Sequence, residues 1–168
     1  MGHRVECVVN IAAPVELVWN TIQDPTRRTE WDERVVSERL LKPGGPGKGN
    51  SFRITYSVFG FRFWGEMEYI VWNPPRRSAI RALRFSRLSM MQSAGGSWHL
   101  ETQPDGSTTY STTVNISLQG GPLAPLLERI FVGGYFRLIT ERSLHNVKRL
   151  IEADYARQSG LAEQGIAG

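Results

Sequence analysis

The chain holds one cysteine, Cys7, and only three histidines, His3, His99 and His145. A single thiol excludes an internal disulfide framework and fits a reducing, cytoplasmic setting. The histidines are scattered and no Cys or Asp pair stands at ligand spacing, so no metal site is expected. Long apolar runs are missing too. No segment approaches the ~20 apolar residues of a bilayer span, and the opening MGHRVECVVN has neither a long apolar stretch nor a small-residue cleavage site, so no membrane span and no signal peptide are expected. Lysine is nearly absent, with 17 of the 20 basic residues being Arg, and the formal net charge is +4. These arginines form no long basic run. The densest stretch, residues 76–87, carries five Arg spaced by apolar or small residues, and no reading element accompanies it, so nucleic-acid binding is not expected. The glycine-rich residues 44–49 lack a Lys-Ser/Thr ending and open no helix. They read as a hairpin loop rather than a phosphate cradle, and no cofactor is implied.

What is present is alternation. Residues 4–11 place Val5, Cys7 and Val9 on one face and Arg4, Glu6 and Asn10 on the other, the pattern of a half-buried strand. Pro14 then opens a short amphipathic helix carrying Val15, Val18, Trp19 and Ile22, stopped by Asp24-Pro25. A second helical turn is expected over residues 26–30. Strands are expected at 35–42, 51–57, 61–72, 77–84, 88–103 (with an interruption near Gly95-Gly96) and 109–118, separated by turn signals such as Phe59-Gly60, Asn73-Pro74-Pro75 and Pro104-Asp105-Gly106. Residues 123–157 read as one long helix whose apolar stripe changes phase at Gly133-Gly134, where a kink is expected. Six consecutive antiparallel strands twist and curl, and one face must be covered. Only the C-terminal helix is long enough to do it. The fold class is therefore α+β: a curved antiparallel seven-stranded sheet wrapped around a long C-terminal helix, with two short helices after strand 1. Residues 1–158 are expected to form one domain, and residues 159–168 a frayed tail.

Several motifs resemble the START-like superfamily of polyketide cyclases and lipid transport proteins, whose relatives include bacterial aromatase/cyclases, coenzyme Q-binding proteins and the birch pollen allergen group. The N-terminal match is the most specific: Val9-x-Ile11-x-Ala13-Pro14-x-x-x-Val18-Trp19, Ile22-x-Asp24-Pro25 and Glu30-Trp31-Asp32. Trp72-Asn73-Pro74-Pro75-Arg76-Arg77, Trp98-x-Leu100-Glu101 with Asp105-Gly106-x-Thr108, and Val147-Lys148-x-Leu150-Ile151-Glu152 resemble later family features. The resemblance implies a helix-grip fold with an internal apolar cavity. It gives Trp19 and Trp31 packing roles, and makes Asp24 and Asp32 terminators of helical turns.

Strand parity assigns the inner face. It carries Phe52, Ile54, Tyr56, Phe63, Met67, Tyr69, Ile80, Trp98, Tyr110, Thr112 and Val114, and the helix adds Phe131, Tyr135, Phe136 and Ile139. Hydroxyls among aromatic and aliphatic walls suit a small hydrophobic ligand. Tyr56, Tyr69 and Tyr110 are the candidate catalytic groups, since a phenol can donate to a carbonyl and stabilise enolate character. No inward carboxylate or histidine can be placed by parity; Glu38 is ambiguous. Trp64 and Trp72 share the outer parity, which points either to a partner surface, such as a homodimer interface, or to a bulge near Gly65 that flips the face. Three functions follow: a carrier or sequestering protein for a lipid-, isoprenoid- or polyketide-like molecule; a cofactor-independent cyclase, aromatase or dehydratase; or a partner-binding module with a vestigial cavity. A cavity entrance is expected near Gly133-Gly134.

Overall fold

The structure is a computed structural model that describes residues 3–87 and 89–165, with side chains to residue 161. Strand β1 (His3–Ile11) is followed by helices α1 (Val15–Ile22) and α2 (Arg28–Trp31). Six strands then run as a meander: β2 (Val35–Leu40), β3 (Ser51–Val58), β4 (Phe61–Asn73), β5 (Arg77–Phe85), β6 (Met91–Thr102) and β7 (Thr108–Leu118). All pairings are antiparallel, and the order β1-β7-β6-β5-β4-β3-β2 brings the first strand back beside the last. The C-terminal helical path comprises a 3-10 turn (Gly121–Leu123), α3 (Ala124–Leu127), a π-helical segment (Glu128–Phe136) and α4 (Arg137–Gly165). This is the helix-grip fold.

The grip is fastened at the far end of β1. The Glu152 carboxylate accepts the Ala12 N–H at 2.8 Å, and the Lys148 ammonium donates to the Asn10 carbonyl at 2.6 Å and to Glu152 at 2.8 Å. The Thr108 hydroxyl donates to the Ala13 carbonyl at 2.8 Å. These contacts satisfy backbone groups that leave the sheet at the β1–α1 corner. Val18, Trp19, Trp31, Leu144, Val147 and Ile151 fill the space between the short helices, α4 and the sheet.

The structure differs from the expectations at three places. Helix α4 runs on to Gly165, past the expected helix end at residue 157; residues 166–168 lie outside the described residues. Strand β6 begins at Met91 and passes through Gly95-Gly96 without interruption, and the expected start at Leu88 falls outside the described residues. At Gly133-Gly134, where a kink is expected, the helix lies in a π-helical segment. A Cβ on Gly133 would stand 2.7 Å from His3 Nε2, so the missing side chain lets the π segment seat on β1.

Trp72 is a fourth correction. Tyr69 pairs with Ile80 and Val71 with Ala79, so β4 spends one extra residue, Ile70, between them. That bulge turns Trp72 inward, edge-on to Trp19 and Tyr69 with centroids 5.0 Å apart in each case. Trp64 stays outside. It is roofed by the Arg53 guanidinium at 4.5 Å and by Arg84 at 5.6 Å. Both arginines are clamped by Glu66 at 2.6 Å. The two tryptophans therefore share no surface, and the stacked arginines account for Trp64.

Candidate functional site

The concave face of the sheet and the π segment enclose a cavity of about 60 Å³. Met67, Ile80, Trp98 and Val114 wall it, and Met91 and Phe136 stand toward the end of the sheet where β6 begins. Gly96, paired with Ile80, leaves room on the inner face: a Cβ there would meet the Ile80 side chain at 3.6 Å and the Trp98 ring at 3.8 Å. Three polar side chains reach the cavity: Arg28, Arg34 and Tyr56.

The arginines come from α2 and from the chain that follows it. Between them lies Asp32, whose side chain is fully buried. Arg34 grips it with two bonds of 2.8 Å, Nε to Oδ1 and a terminal nitrogen to Oδ2. Arg28 reaches Oδ2 at 3.2 Å through Nε and at 3.1 Å through a terminal nitrogen. The other terminal nitrogen of Arg34 donates to the Thr140 hydroxyl of α4 at 2.9 Å. Arg34 is thus consumed by structure, with its plane 4.6 Å from the Phe136 ring. Arg28 is not. Held over the Trp31 ring at 4.4 Å and near Trp98 at 5.5 Å, its guanidinium has, among the described residues, no hydrogen-bond acceptor besides Asp32. It keeps N–H donors at the cavity wall.

Burial opposes the charge of Asp32, but Arg34 and Arg28 outweigh it and hold its carboxyl well below the usual carboxylate range. Burial likewise opposes the charge of Arg28, yet Asp32 and then Glu38 keep it firmly protonated. Glu38 itself pairs with Ile54 across β2–β3 and so faces inward. Burial pushes its carboxyl up to about 7, against the pull of Arg28. Burial also raises the Tyr56 phenol to about 12, and those of Tyr69 and Tyr110 as well. All three stay protonated near neutrality and each keeps an O–H to donate there.

The residues assigned by parity are divided among several places. Tyr56, Met67, Ile80, Trp98 and Val114 meet at the cavity. Phe52, Ile54 and Tyr69 pack together with Val35 in a satellite core on the β2 side. Tyr110 and Thr112 are buried in β7, and Ile139 is buried on α4. Phe63 leans on Tyr56 with centroids 5.4 Å apart. Phe131 and Tyr135 do not line the cavity and meet Phe59 of the β3–β4 turn instead, Tyr135 stacked at 4.1 Å and Phe131 tilted at 6.1 Å. Sequence reasoning missed Arg28 and Arg34, and read Asp32 only as a helix terminator. The available signal was Arg28-Thr-Glu-Trp-Asp32-Glu-Arg34: opposite charges at i,i+4 and i,i+2 around a tryptophan that has to be buried.

A sequence model described as "Polyketide cyclase / dehydrase and lipid transport" matches residues 2–152. No curated protein matches. Among solved structures, the Zhui aromatase/cyclase from a Streptomyces species superposes with a TM-score of 0.75 at 20% identity, covering 90% of this chain and 94% of that one. A protein from Thermus thermophilus gives a TM-score of 0.74 at 18% identity, over 90% and 99% of the two chains. A START superfamily protein from Mycobacterium smegmatis gives 0.68 at 11%, over 94% and 99%. These likenesses establish the fold.

Proposed function

The chain belongs to the polyketide cyclase/dehydrase and lipid transport family, and from that premise we propose that it binds a small hydrophobic molecule, lipid-, isoprenoid- or polyketide-like, as a carrier or sequestering protein. The bound molecule presents an acidic or carbonyl oxygen to Arg28. The observation that carries this reading is the free donor face of that arginine on a mostly apolar cavity. Two guanidiniums and one carboxylate leave a positive charge uncompensated, and Glu38, with its carboxyl raised to about 7, offsets it only in part. Removing ions from water costs several kcal/mol each. A core that only had to be filled is served better by apolar side chains, so the cluster fits a site that waits for an oxygen.

A cavity of about 60 Å³ is room for roughly two waters, against the ~300–1,000 Å³ of typical ligand pockets. Binding therefore requires the π segment to move outward and open the space beneath Phe136. Native mass spectrometry of protein purified from its own host tests the reading. The expected result is a co-purified small molecule that Arg28→Met loses. Protein that is always empty and also excludes hydrophobic dyes overturns it.

One observation favours a second reading, a cyclase or dehydratase. Glu38 lies near neutrality in its titration, beside phenols that stay protonated, and Coulombic coupling ties it to Tyr56 and Tyr69. Glu38 does not line the cavity as it stands, so in this reading the opened form brings it to the ligand, where a carboxyl near pH 7 can exchange protons with an enolisable carbon while Tyr56 and Arg28 hold the enolate oxygen.

A further inference from the structure

The antiparallel meander sends three connections to one end of the sheet: the β3–β4 turn, the β5–β6 loop and the passage from β7 into α3. They meet there. Phe59 stacks on Tyr135 at 4.1 Å, the Ser86 N–H donates to the Trp64 carbonyl at 2.9 Å and the Trp64 N–H to the Ser86 hydroxyl at 3.3 Å, and the Gln119 N–H donates to the Met90 carbonyl at 2.8 Å. This end is apolar where it faces outward. Phe59, Phe61, Met90, Leu123, Leu126 and Ile130 each leave between 56% and 77% of their surface exposed. Their chain segments, residues 57–63, 85–91 and 119–131, contain one acid, Glu128. It is buried, accepting the Leu118 N–H at 2.9 Å and the Ser117 hydroxyl at 3.2 Å. The same segments carry Arg62, Arg87 and Arg129, none with an acidic partner among the described residues.

We propose that this end of the molecule docks on an anionic lipid bilayer, with the leucines and phenylalanines entering the interface and the three arginines meeting lipid phosphates. Charge complementarity selects the occupant, since the face offers unpaired cations and no exposed acid. Its shape agrees. The apolar side chains stand on a turn tip, a loop and the start of the C-terminal helical path, and none of them lines the cavity, an arrangement that suits a fluid apolar medium. Met91, next to the exposed Met90, and Phe136 belong to the cavity wall, so the docked face borders the cavity. The docking does not depend on the identity of the cavity's ligand.

Co-sedimentation with vesicles tests it, using phosphatidylcholine alone and phosphatidylcholine mixed with phosphatidylglycerol. The intact chain is expected on the mixed vesicles. Leu126→Ser with Ile130→Ser should lower partitioning about tenfold or more, and Phe61→Ser reads the same face from another element. Arg62→Gln, Arg87→Gln and Arg129→Gln should each cost about fivefold at low salt, and Val8→Ser, on the outer face of β1, should cost nothing. Circular dichroism melting that matches the unmodified chain separates lost docking from lost folding. Three results overturn the proposal: no binding to mixed vesicles, binding that the serine variants leave unchanged, or a stable dimer or acidic protein complex that occupies the face while vesicles do not.

Discussion

Glu38 is the residue on which pH acts most directly. In the unfolded chain its carboxyl titrates near 4.5, and in the fold near 7. The folded state thus holds a proton that the unfolded state has given up between these values. The stability this contributes is complete below about pH 4.5 and is lost as pH rises to about 7. Asp32 has the opposite sign: its depressed carboxyl contributes stability above the ordinary carboxylate range, lost only in strong acid. Glu38→Gln should therefore gain stability relative to the parent chain on going from pH 5 to pH 8. Urea unfolding at both values measures this. A stability difference that does not change with pH contradicts the buried placement of the carboxyl. A neighbour of such a group is hard to read from sequence, and Arg28 shows why. It stands on a four-residue helix with no periodicity to assign it a face, where charge reads as solvated. Trp31 beside it was legible as a packing residue, and its ring is what holds the guanidinium inside.

Among the elements, the strands and turns were legible because alternation and turn chemistry are written locally. Phe59-Gly60 is an example: both residues take positive φ, 51° and 80°, as a two-residue hairpin turn of this hand requires. Phenylalanine is a costly residue at that φ, and its ring is stacked on Tyr135, so the turn and the π segment are clasped together. The bulge at Ile70 was not legible at its true position, because it exists only in the pairing of β4 with β5. The same holds for Gly95-Gly96, whose value lies in the side chains they lack opposite Ile80. The two glycines of the π segment were visible, but not their different surroundings. A Cβ on Gly134 would meet nothing within 4 Å, whereas one on Gly133 would press on His3. Gly134→Ala should stabilise the fold by about 0.5–1 kcal/mol, and Gly133→Ala should gain less, because the His3 ring has to shift. Denaturant midpoints compare them. Equal gains, or a loss at Gly134, would contradict this packing of the segment on β1.

For the whole molecule, the family motifs mark the fastenings of the grip rather than its contents. Lys148 and Glu152 tie α4 to the β1–α1 corner. The opposite end, where glycines, exposed leucines and a π helix gather, is held by the aromatic clasp. On the proposed function, the cavity opens at this second end, away from the fastenings. No helix of the described residues is long and apolar enough to cross a membrane.

The central claim is that the interior receives a hydrophobic molecule by its oxygen head at Arg28. Parallel titrations with two fluorescent probes of similar size, the anionic 1-anilinonaphthalene-8-sulfonate and the neutral N-phenyl-1-naphthylamine, test it on the intact chain and on Arg28→Met. The account predicts that both probes bind the intact chain. It also predicts that the variant loses about tenfold or more in affinity for the sulfonate, the scale of a charge-assisted hydrogen bond, with the neutral probe within about twofold. Equal affinities of the two chains for the sulfonate, or an equal loss for both probes, would contradict it.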